Sequence, residues 1–274
     1  MESDAPFPDL DEILESMGTA GSRVAGMDAS EASAGNISAL LGWPVEVRRR
    51  FPLNEQLDLP APVPDLAGKT MLVTGSGRRL RDIRRDPEAN VGAVVVASDG
   101  LTATLHTSPR RLFAHLTSEF NSHIAVHQQQ VAERGIAFQA IVHAQPPHLT
   151  FLSHIPAMRD EAEFNRRVLR WEPESIVALP QGIAVLDFMV PGSPMLMAAN
   201  VEALRTRQIV LWGKHGVMAR SDASITNAVD RIEYAETGAR YEYMNLMSGG
   251  LAEGLTHAEL ERVVAAFHVE TELV

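Results

Sequence analysis

Hydrophobic positions recur along this chain with two different periods. Short apolar runs predict strands at 70–74, 92–97, 102–107, 139–143, 183–189 and 209–212. Longer stretches with apolar residues three or four positions apart predict helices over 9–18, 28–40, 109–133, 159–170, 194–206, 222–247 and 257–267. The composition does not change abruptly anywhere. We therefore predict one three-layer α/β domain over residues 1–274, with residues 1–20 as an N-terminal helical extension.

The segment 222–247 has the strongest helical pattern in the chain. Its apolar stripe comprises Ile225, Val229, Ile232, Ala235, Ala239, Tyr243 and Leu246. Either Ser221 or Asp222 can cap its N-terminus, and Gly249 and Gly250 end it. In contrast, the prolines between residues 52 and 64 predict a connector without regular structure.

Composition narrows the classes of function. The 274 residues carry a formal net charge of −11, which disfavours nucleic acid as a partner because phosphate neutralisation dominates that binding. The chain has no cysteine, so any metal must be bound by His, Asp, Glu or Gln. Neither a secretory signal nor an apolar run long enough to span a membrane is present, which favours a cytoplasmic protein.

Two histidines follow predicted core strands. His143 ends an apolar run, and Pro146 and Pro147 then force the chain out of the sheet. Residues two apart on a strand face the same side, so Gln145 points with His143, and His148 follows in the next turn. A second apolar run leads to His215. These histidines indicate either a metal site at the rim of a sheet or imidazoles packed in a core.

The other histidines carry weaker signals. His123 and His127 lie four residues apart on a predicted helix, a spacing that can hold a metal. They lack a neighbouring HExxH pattern, so we predict solvent or packing roles for them. His257 and His268 flank a C-terminal amphipathic helix and are predicted to be surface residues.

Two short motifs could bind or transform a ligand. The Thr117-Ser118-Glu119 segment can be either the start of a helix with an acidic first turn or a group of active-site side chains. The loop at 75–77, Gly-Ser-Gly, matches neither the P-loop nor the dinucleotide fingerprint. Its consecutive backbone N–H groups can still form an anion-binding nest, and the turn containing Asn36 adds amide donors.

In this order and register, the motifs resemble the class II (zinc) aldolase family. The likeness covers about residues 20–270 and comprises Gly35-Asn36-x-Ser38, Thr74-Gly75-Ser76-Gly77, Thr117-Ser118-Glu119, His143-x-Gln145-Pro146-Pro147 and His215-Gly216. Within the family it is greatest to the L-rhamnulose-1-phosphate aldolases, through segments 86–92, 98–100 and 188–192. The resemblance implies a three-layer α/β/α fold with a central, mostly antiparallel sheet. It also implies a homotetramer with active sites between subunits.

The resemblance further implies one zinc per subunit, or another divalent ion, held by three histidines. His143 matches the first and His215 the third, but Gln145 stands where the second is expected. Three outcomes are open: His148 supplies the missing imidazole, Gln145 binds weakly, or the site has lost its metal. We expect His148 to replace it.

The roles of the remaining site residues are also implied by the resemblance. Glu119 matches the proton carrier, and Glu174 matches a carboxylate that acts at the aldehyde end of a neighbouring subunit's substrate. The phosphate-binding residues match Asn36, Ser76, Gly77, Thr117 and Ser118, whereas Ser33 stands where another asparagine is expected.

The implied activity is cleavage of a small phosphorylated sugar. L-rhamnulose 1-phosphate, the first candidate, would give dihydroxyacetone phosphate and L-lactaldehyde. A pentulose-phosphate epimerase and a metal-free, adducin-like assembly module are the alternatives.

Overall fold

One nine-stranded sheet organises residues 7–274, the part of the chain that this computed structural model describes. Residues 1–6, which the predicted N-terminal extension includes, lie outside the described residues. The strands are β1 Asn36–Leu41, β2 Leu53–Asp58, β3 Thr70–Thr74, β4 Val91–Val96, β5 Thr102–Thr107, β6 Phe138–Ala144, β7 Ala184–Leu186, β8 Ile209–Trp212 and β9 Gly216–Ser221. Their order is β2-β5-β4-β3-β1-β6-β9-β8-β7.

The sheet is mixed, and the predicted α/β class is confirmed. Within residues 7–274 neighbouring strands pair antiparallel, except for the parallel pair β7 and β8. The helices are α1 Leu10–Gly26, α2 Pro87–Asn90, α3 Phe120–Arg134, α4 Pro147–Leu152, α5 Glu161–Val168, α6 Pro173–Ala178, α7 Pro194–Thr206, α8 Ile225–Met247 and α9 His257–Phe267. No helix among these is both long and apolar enough to cross a bilayer.

The central strand β1 is buried at all six positions because helices pack against both of its faces. Ile37 and Ala39 point into the cluster that also contains core residues of α1 and α8. Leu40 points the other way and packs in the same cluster as Ile124 of α3. The face toward α3 also carries the polar residues Asn36 and Ser38, and both contact His123 of that helix.

Several sequence-predicted elements are confirmed. Helix α8 covers the predicted apolar stripe, although its N-cap is Ser224, whose side chain accepts from the Asn227 backbone N–H. Ser221, one of the predicted caps, instead donates to the Asn227 side chain. The predicted helices 194–206 and 257–267 and five of the six strands lie within one residue of prediction, whereas 183–189 shortens to β7.

Two predicted elements were wrong. The segment 28–40 was predicted to be a helix, but its second half is β1, because pairing with β3 and β6 on both sides outweighs local preference. The helix predicted over 109–133 begins only at Phe120. The residues before it are held in a loop, since the Thr117 N–H donates to the carbonyl of Thr74 at the end of β3.

The proline-rich connector contains a strand that the sequence analysis missed. Among residues 7–274, strand β2 lies at the edge of the sheet, pairs with β5 alone and is mostly exposed. Pro52 and Pro60 flank it without interrupting it. Edge strands tolerate such flanking prolines because one side makes no ladder hydrogen bonds.

Candidate metal and phosphate site

Strand register brings the first two site residues together. Asn36 at the start of β1 lies directly opposite His143 near the end of β6. Directly paired residues on antiparallel strands project their side chains to the same face. His143 is 1% exposed, and its Nδ1 atom lies 2.8 Å from the Val217 carbonyl oxygen of the next strand. That contact makes Nδ1 the protonated nitrogen and leaves Nε2 with a free lone pair.

The turn between β8 and β9 brings His215 to the same place. Lys214 adopts a left-handed conformation with φ of 62°, and its N–H donates to Ser153 Oγ at 2.7 Å. A Cβ atom at Gly216 would lie 2.4 Å from the Ala144 carbonyl oxygen, so only glycine allows this approach to β6. The ring centroids of His143 and His215 are consequently 5.0 Å apart.

The glycine loop and the Thr117–Glu119 segment are held against each other. Gly75 forms an isolated β-bridge with Leu116, and the Ser76 N–H donates to the His115 carbonyl oxygen. Glu119 then precedes the first residue of α3 and is 5% exposed. Its Oε2 atom accepts from Asn36 Nδ2 at 2.5 Å and lies 3.9 Å from His143 Nε2.

These segments enclose a cavity of about 170 Å³. It is lined by Ser33, Ala34, Gly35, Asn36, Gly75, Ser76, Gly77, Thr117, Ser118, Glu119, His143, Gln145 and His215. The structure thus collects in one small space the residues that the sequence pattern associates with phosphate, together with Glu119 and two histidines. Their separation along the chain is large, and strand pairing together with contacts between loops brings them together.

Three of these side chains can hold a metal ion. Glu119, His143 and His215 each offer one ligand atom, and these atoms lie within 4.8 Å of one another. The buried Nδ1 atom of His215 has no hydrogen-bond partner among the described residues, which fits a metal ligand. The pKa of His215 is lowered to about 4, mainly by burial and then by the neighbouring His143, while Glu119 opposes the shift. A neutral imidazole at physiological pH is the form that binds metal.

His148 does not join this cluster, which corrects the expectation that it completes the metal site. Its Nδ1 atom lies 2.6 Å from Glu236 Oε1, and its ring packs against Tyr243. Glu236 also accepts from the backbone N–H groups of His148 and Leu149, at the start of α4. Helix α4 begins at Pro147, so the chain turns away from the cavity directly after Gln145. His148 instead lines a groove beside α8.

Gln145 and Glu174 occupy different positions relative to the cavity. Gln145 lines it, with its backbone N–H donating to the Ala29 carbonyl oxygen at 2.8 Å. Glu174 lies in the first turn of α6, is exposed, and is not among the residues that line the cavity.

Trp212 is a site residue that the sequence analysis missed. It is buried behind both histidines, with its ring centroid 4.5 Å from that of His143 and 5.0 Å from that of His215. Its indole N–H donates to Asn200 Oδ1 at 2.6 Å, which fixes the ring. The sequence signal that could have indicated this role is a large aromatic residue directly before the Gly213-Lys214-His215 turn.

Comparisons with known proteins agree with this geometry. A family model described as the class II aldolase and adducin N-terminal domain matches residues 15–243. A rhamnulose-1-phosphate aldolase from Yersinia pseudotuberculosis is 31% identical over 245 residues, which cover 87% of each chain.

Two solved structures extend the likeness to the fold. A sugar-phosphate aldolase from Thermotoga maritima matches with a TM-score of 0.74 and 27% identity over 88% of this chain and 97% of its own. An L-fuculose-1-phosphate aldolase from Thermus thermophilus has a TM-score of 0.56 and 18% identity over 88% and 98%, a likeness of fold alone. The chain therefore belongs to the class II aldolase family, and it is an aldolase, a carbon–carbon lyase.

Proposed function

We propose that this aldolase cleaves a ketose 1-phosphate to dihydroxyacetone phosphate and a short aldehyde. L-rhamnulose 1-phosphate, which would yield L-lactaldehyde, is the first candidate substrate. The observation that carries the proposal is the buried Glu119 carboxylate, 3.9 Å from His143, in a cavity that also contains His215 and the Gly75–Ser76–Gly77 loop. The Yersinia relative named for rhamnulose 1-phosphate supports this substrate over other sugar phosphates.

His143 and His215 would hold a divalent metal, with zinc as the ion expected from the family. Gln145 lines the same cavity and would supply an amide oxygen where a third imidazole is expected. When bound, the metal would act as a Lewis acid for negative charge that develops on adjacent substrate oxygens.

Glu119 would carry the proton at the reacting carbon. In the cleavage, the bond between the third and fourth carbons breaks, and its electron pair stays on the third carbon. The Glu119 carboxylate takes up the hydroxyl proton of the fourth carbon as the aldehyde forms, and it then delivers that proton to the third carbon. A buried carboxylate is suited to this task because its proton affinity can be matched to the reaction.

The phosphate would lie in the donor-rich part of the cavity. The Gly77 backbone N–H, the Asn36 amide and the hydroxyls of Ser76, Thr117 and Ser118 are the donors that we assign to it. Such nests bind phosphate dianions without requiring a basic side chain.

We propose that the enzyme is a homotetramer in which Glu174 reaches a neighbouring subunit's cavity and acts at the aldehyde end. Phe188, Val190 and Met195 are each more than half exposed. They flank Gly192, which packs against the Ser118 backbone, so an apolar surface lies beside the cavity. Exposed apolar surface of this kind favours a subunit contact. Light scattering coupled to size-exclusion chromatography tests the tetramer.

The substrate is tested by incubating metal-loaded protein with L-rhamnulose 1-phosphate, L-fuculose 1-phosphate and a pentulose phosphate. We expect dihydroxyacetone phosphate to appear with the first of these. Metal-bound protein that cleaves none of them would overturn the proposal. An epimer in place of two fragments would identify the epimerase alternative, and protein that binds no divalent metal would favour an assembly module.

Replacing Glu119 by Gln should lower kcat by roughly 10³-fold or more, because the carboxylate that moves the proton is removed. The metal content, measured by elemental analysis, should stay unchanged. The matched control is Glu236→Gln, since Glu236 is also a buried carboxylate, 7% exposed against 5% for Glu119, but lies outside the cavity. Full activity in E119Q would remove Glu119 from the mechanism.

A further inference from the structure

A chain of buried polar side chains runs from the core to Glu119. It links Gln139, His127, Ser38, His123, Asn36 and Glu119 through successive contacts of 2.8, 2.8, 2.7, 2.5 and 2.5 Å. All six side chains are buried, and Ser38, His123, His127 and Gln139 are fully so. We call these six residues the polar chain. Of these six, Asn36 and Glu119, the last two in this order, line the cavity.

The fold aligns the polar chain through two simple periodicities. Asn36 and Ser38 are two residues apart on β1, so both face α3, and Gln139 on β6 pairs with Leu40 on the same face. His123 and His127 are four residues apart on α3, one turn above each other on the side facing the sheet. The helical spacing thus places two imidazoles over a row of strand side chains.

Counting protons gives the polar chain a direction. Four contacts connect the Gln139 amide to the Asn36 amide, and the three groups between them carry one proton each when both imidazoles are neutral. The atoms at the two ends, Gln139 Oε1 and Asn36 Oδ1, are both amide oxygens and can only accept. Each of the four contacts needs its own proton, so one proton is missing. Burial lowers the pKa of His123 well below its usual value and that of His127 to about 3, so neither supplies it.

A half turn of the Gln139 amide resolves the count. The Gln139 Nε2 atom is buried without a hydrogen-bond partner, while its oxygen faces His127 Nδ1. Exchanging the two atoms lets Nε2 donate to His127 and provides the missing proton. Every later group then donates onward: His127 to Ser38, Ser38 to His123, and His123 Nε2 to Asn36 Oδ1. With its oxygen so occupied, the Asn36 amide must present its NH₂ group to Glu119.

We propose that His123 is a positioning residue that acts on Glu119 through Asn36. By donating to Asn36 Oδ1, it holds the amide nitrogen toward the Glu119 carboxylate and thereby fixes that carboxylate beside His143. The second N–H of Asn36 remains available to the phosphate, so one amide couples the proton carrier to substrate binding. This inference rests on the proposed role of Glu119 in cleavage.

The test compares His123→Leu, which removes the donor, with His123→Gln, whose amide nitrogen can occupy the position of Nε2. We expect H123L to lower kcat about 10- to 100-fold, the effect of losing the Asn36 hydrogen bond to the Glu119 carboxylate. KM should rise by only about threefold, because Asn36 is one of several donors assigned to the phosphate. H123Q should recover kcat to within about fivefold of wild type. Metal content should be equal in all three proteins.

Gln130→Leu is the matched control, because Gln130 is equally buried on α3 but donates to the Leu204 carbonyl oxygen, outside the cavity and the polar chain. Wild-type kcat in H123L, or an equal loss in Q130L, would overturn the proposal. If H123L does not fold, Ser38→Ala interrupts the same chain by deleting one oxygen. S38A should lower kcat several-fold, and wild-type turnover in that variant would equally overturn the proposal.

A crystallographic comparison separates this inference from the proposed reaction. If wild-type protein cleaves no ketose phosphate, the proposed function fails, but the polar chain remains testable. The Asn36–Glu119 contact should be present in wild type and H123Q and lost in H123L. A contact that is unchanged in H123L would show that His123 does not position Asn36.

Discussion

Two pairs of histidines in this enzyme have different surroundings, and three of the four are buried whereas His215 is half-buried. His123 and His127 use both ring nitrogens in hydrogen bonds within the core. In the cavity, His143 uses only Nδ1, and His215 Nδ1 has no partner among the described residues. Burial lowers the pKa of His123 and His127 in the core, and it also lowers the pKa of His215 in the cavity. Burial therefore does not distinguish a metal ligand from a core imidazole, whereas the free nitrogens do.

The strongest test of this comparison removes one imidazole from each pair. His143→Ala should abolish stoichiometric metal binding and lower activity by about 10³-fold or more, since the Lewis acid is lost. His127→Ala should retain its metal. Elemental analysis after desalting checks both variants. Metal retained in H143A, or lost in H127A, would reverse the assignment of the two pairs.

Adding an imidazole to the cavity pair should have the next largest effect. Gln145→His restores a third histidine on the side of β6 that carries His143, and we expect zinc affinity to rise about 100-fold because imidazole is a much better zinc ligand than an amide oxygen. Competition with a chromophoric chelator measures it.

His148→Gln is the control for that variant, because His148 is hydrogen-bonded to Glu236 outside the cavity. Its zinc affinity should equal that of wild type. A loss of zinc in H148Q, with no gain in Q145H, would return His148 to the metal site.

The smallest expected effect concerns stability against pH. The pKa of His127 is about 3 in the folded protein and about 6.5 when exposed, so between these values only the unfolded chain binds the proton. Its contribution is therefore complete above pH 6.5 and is lost as the pH falls toward 3. Between about pH 7.5 and 5.5 this costs about 1.4 kcal/mol for one histidine.

Urea unfolding of metal-free protein at these two pH values measures that contribution. His127→Gln should lose about 1.4 kcal/mol less than wild type on acidification, since glutamine does not titrate. The exposed His257, replaced by Gln, should behave like wild type. An unchanged pH dependence in H127Q would mean that His127 binds a proton equally well in the folded protein and in the unfolded chain.

Prediction from sequence succeeded for elements whose burial in the core produces a regular pattern of apolar residues in the local sequence. The apolar runs of β3, β5, β6 and β8 and the stripe of α8 were recognisable because burial of one face or both leaves a periodic trace. It failed at β1, whose short apolar run fits a helix equally well. Its strand conformation comes from two neighbouring strands, one of them about 100 residues away along the chain.

The sequence by itself determined the family, the aldolase chemistry and the order of the motifs around Glu119, His143 and His215, because each motif is a contiguous local pattern. Only the tertiary structure decided which side chains meet. In the folded protein His148 contacts Glu236, and Gln145 lines the cavity. His123 contacts Asn36, which in turn donates to Glu119. These outcomes depend on strand register and helix packing between distant segments, which local sequence does not encode.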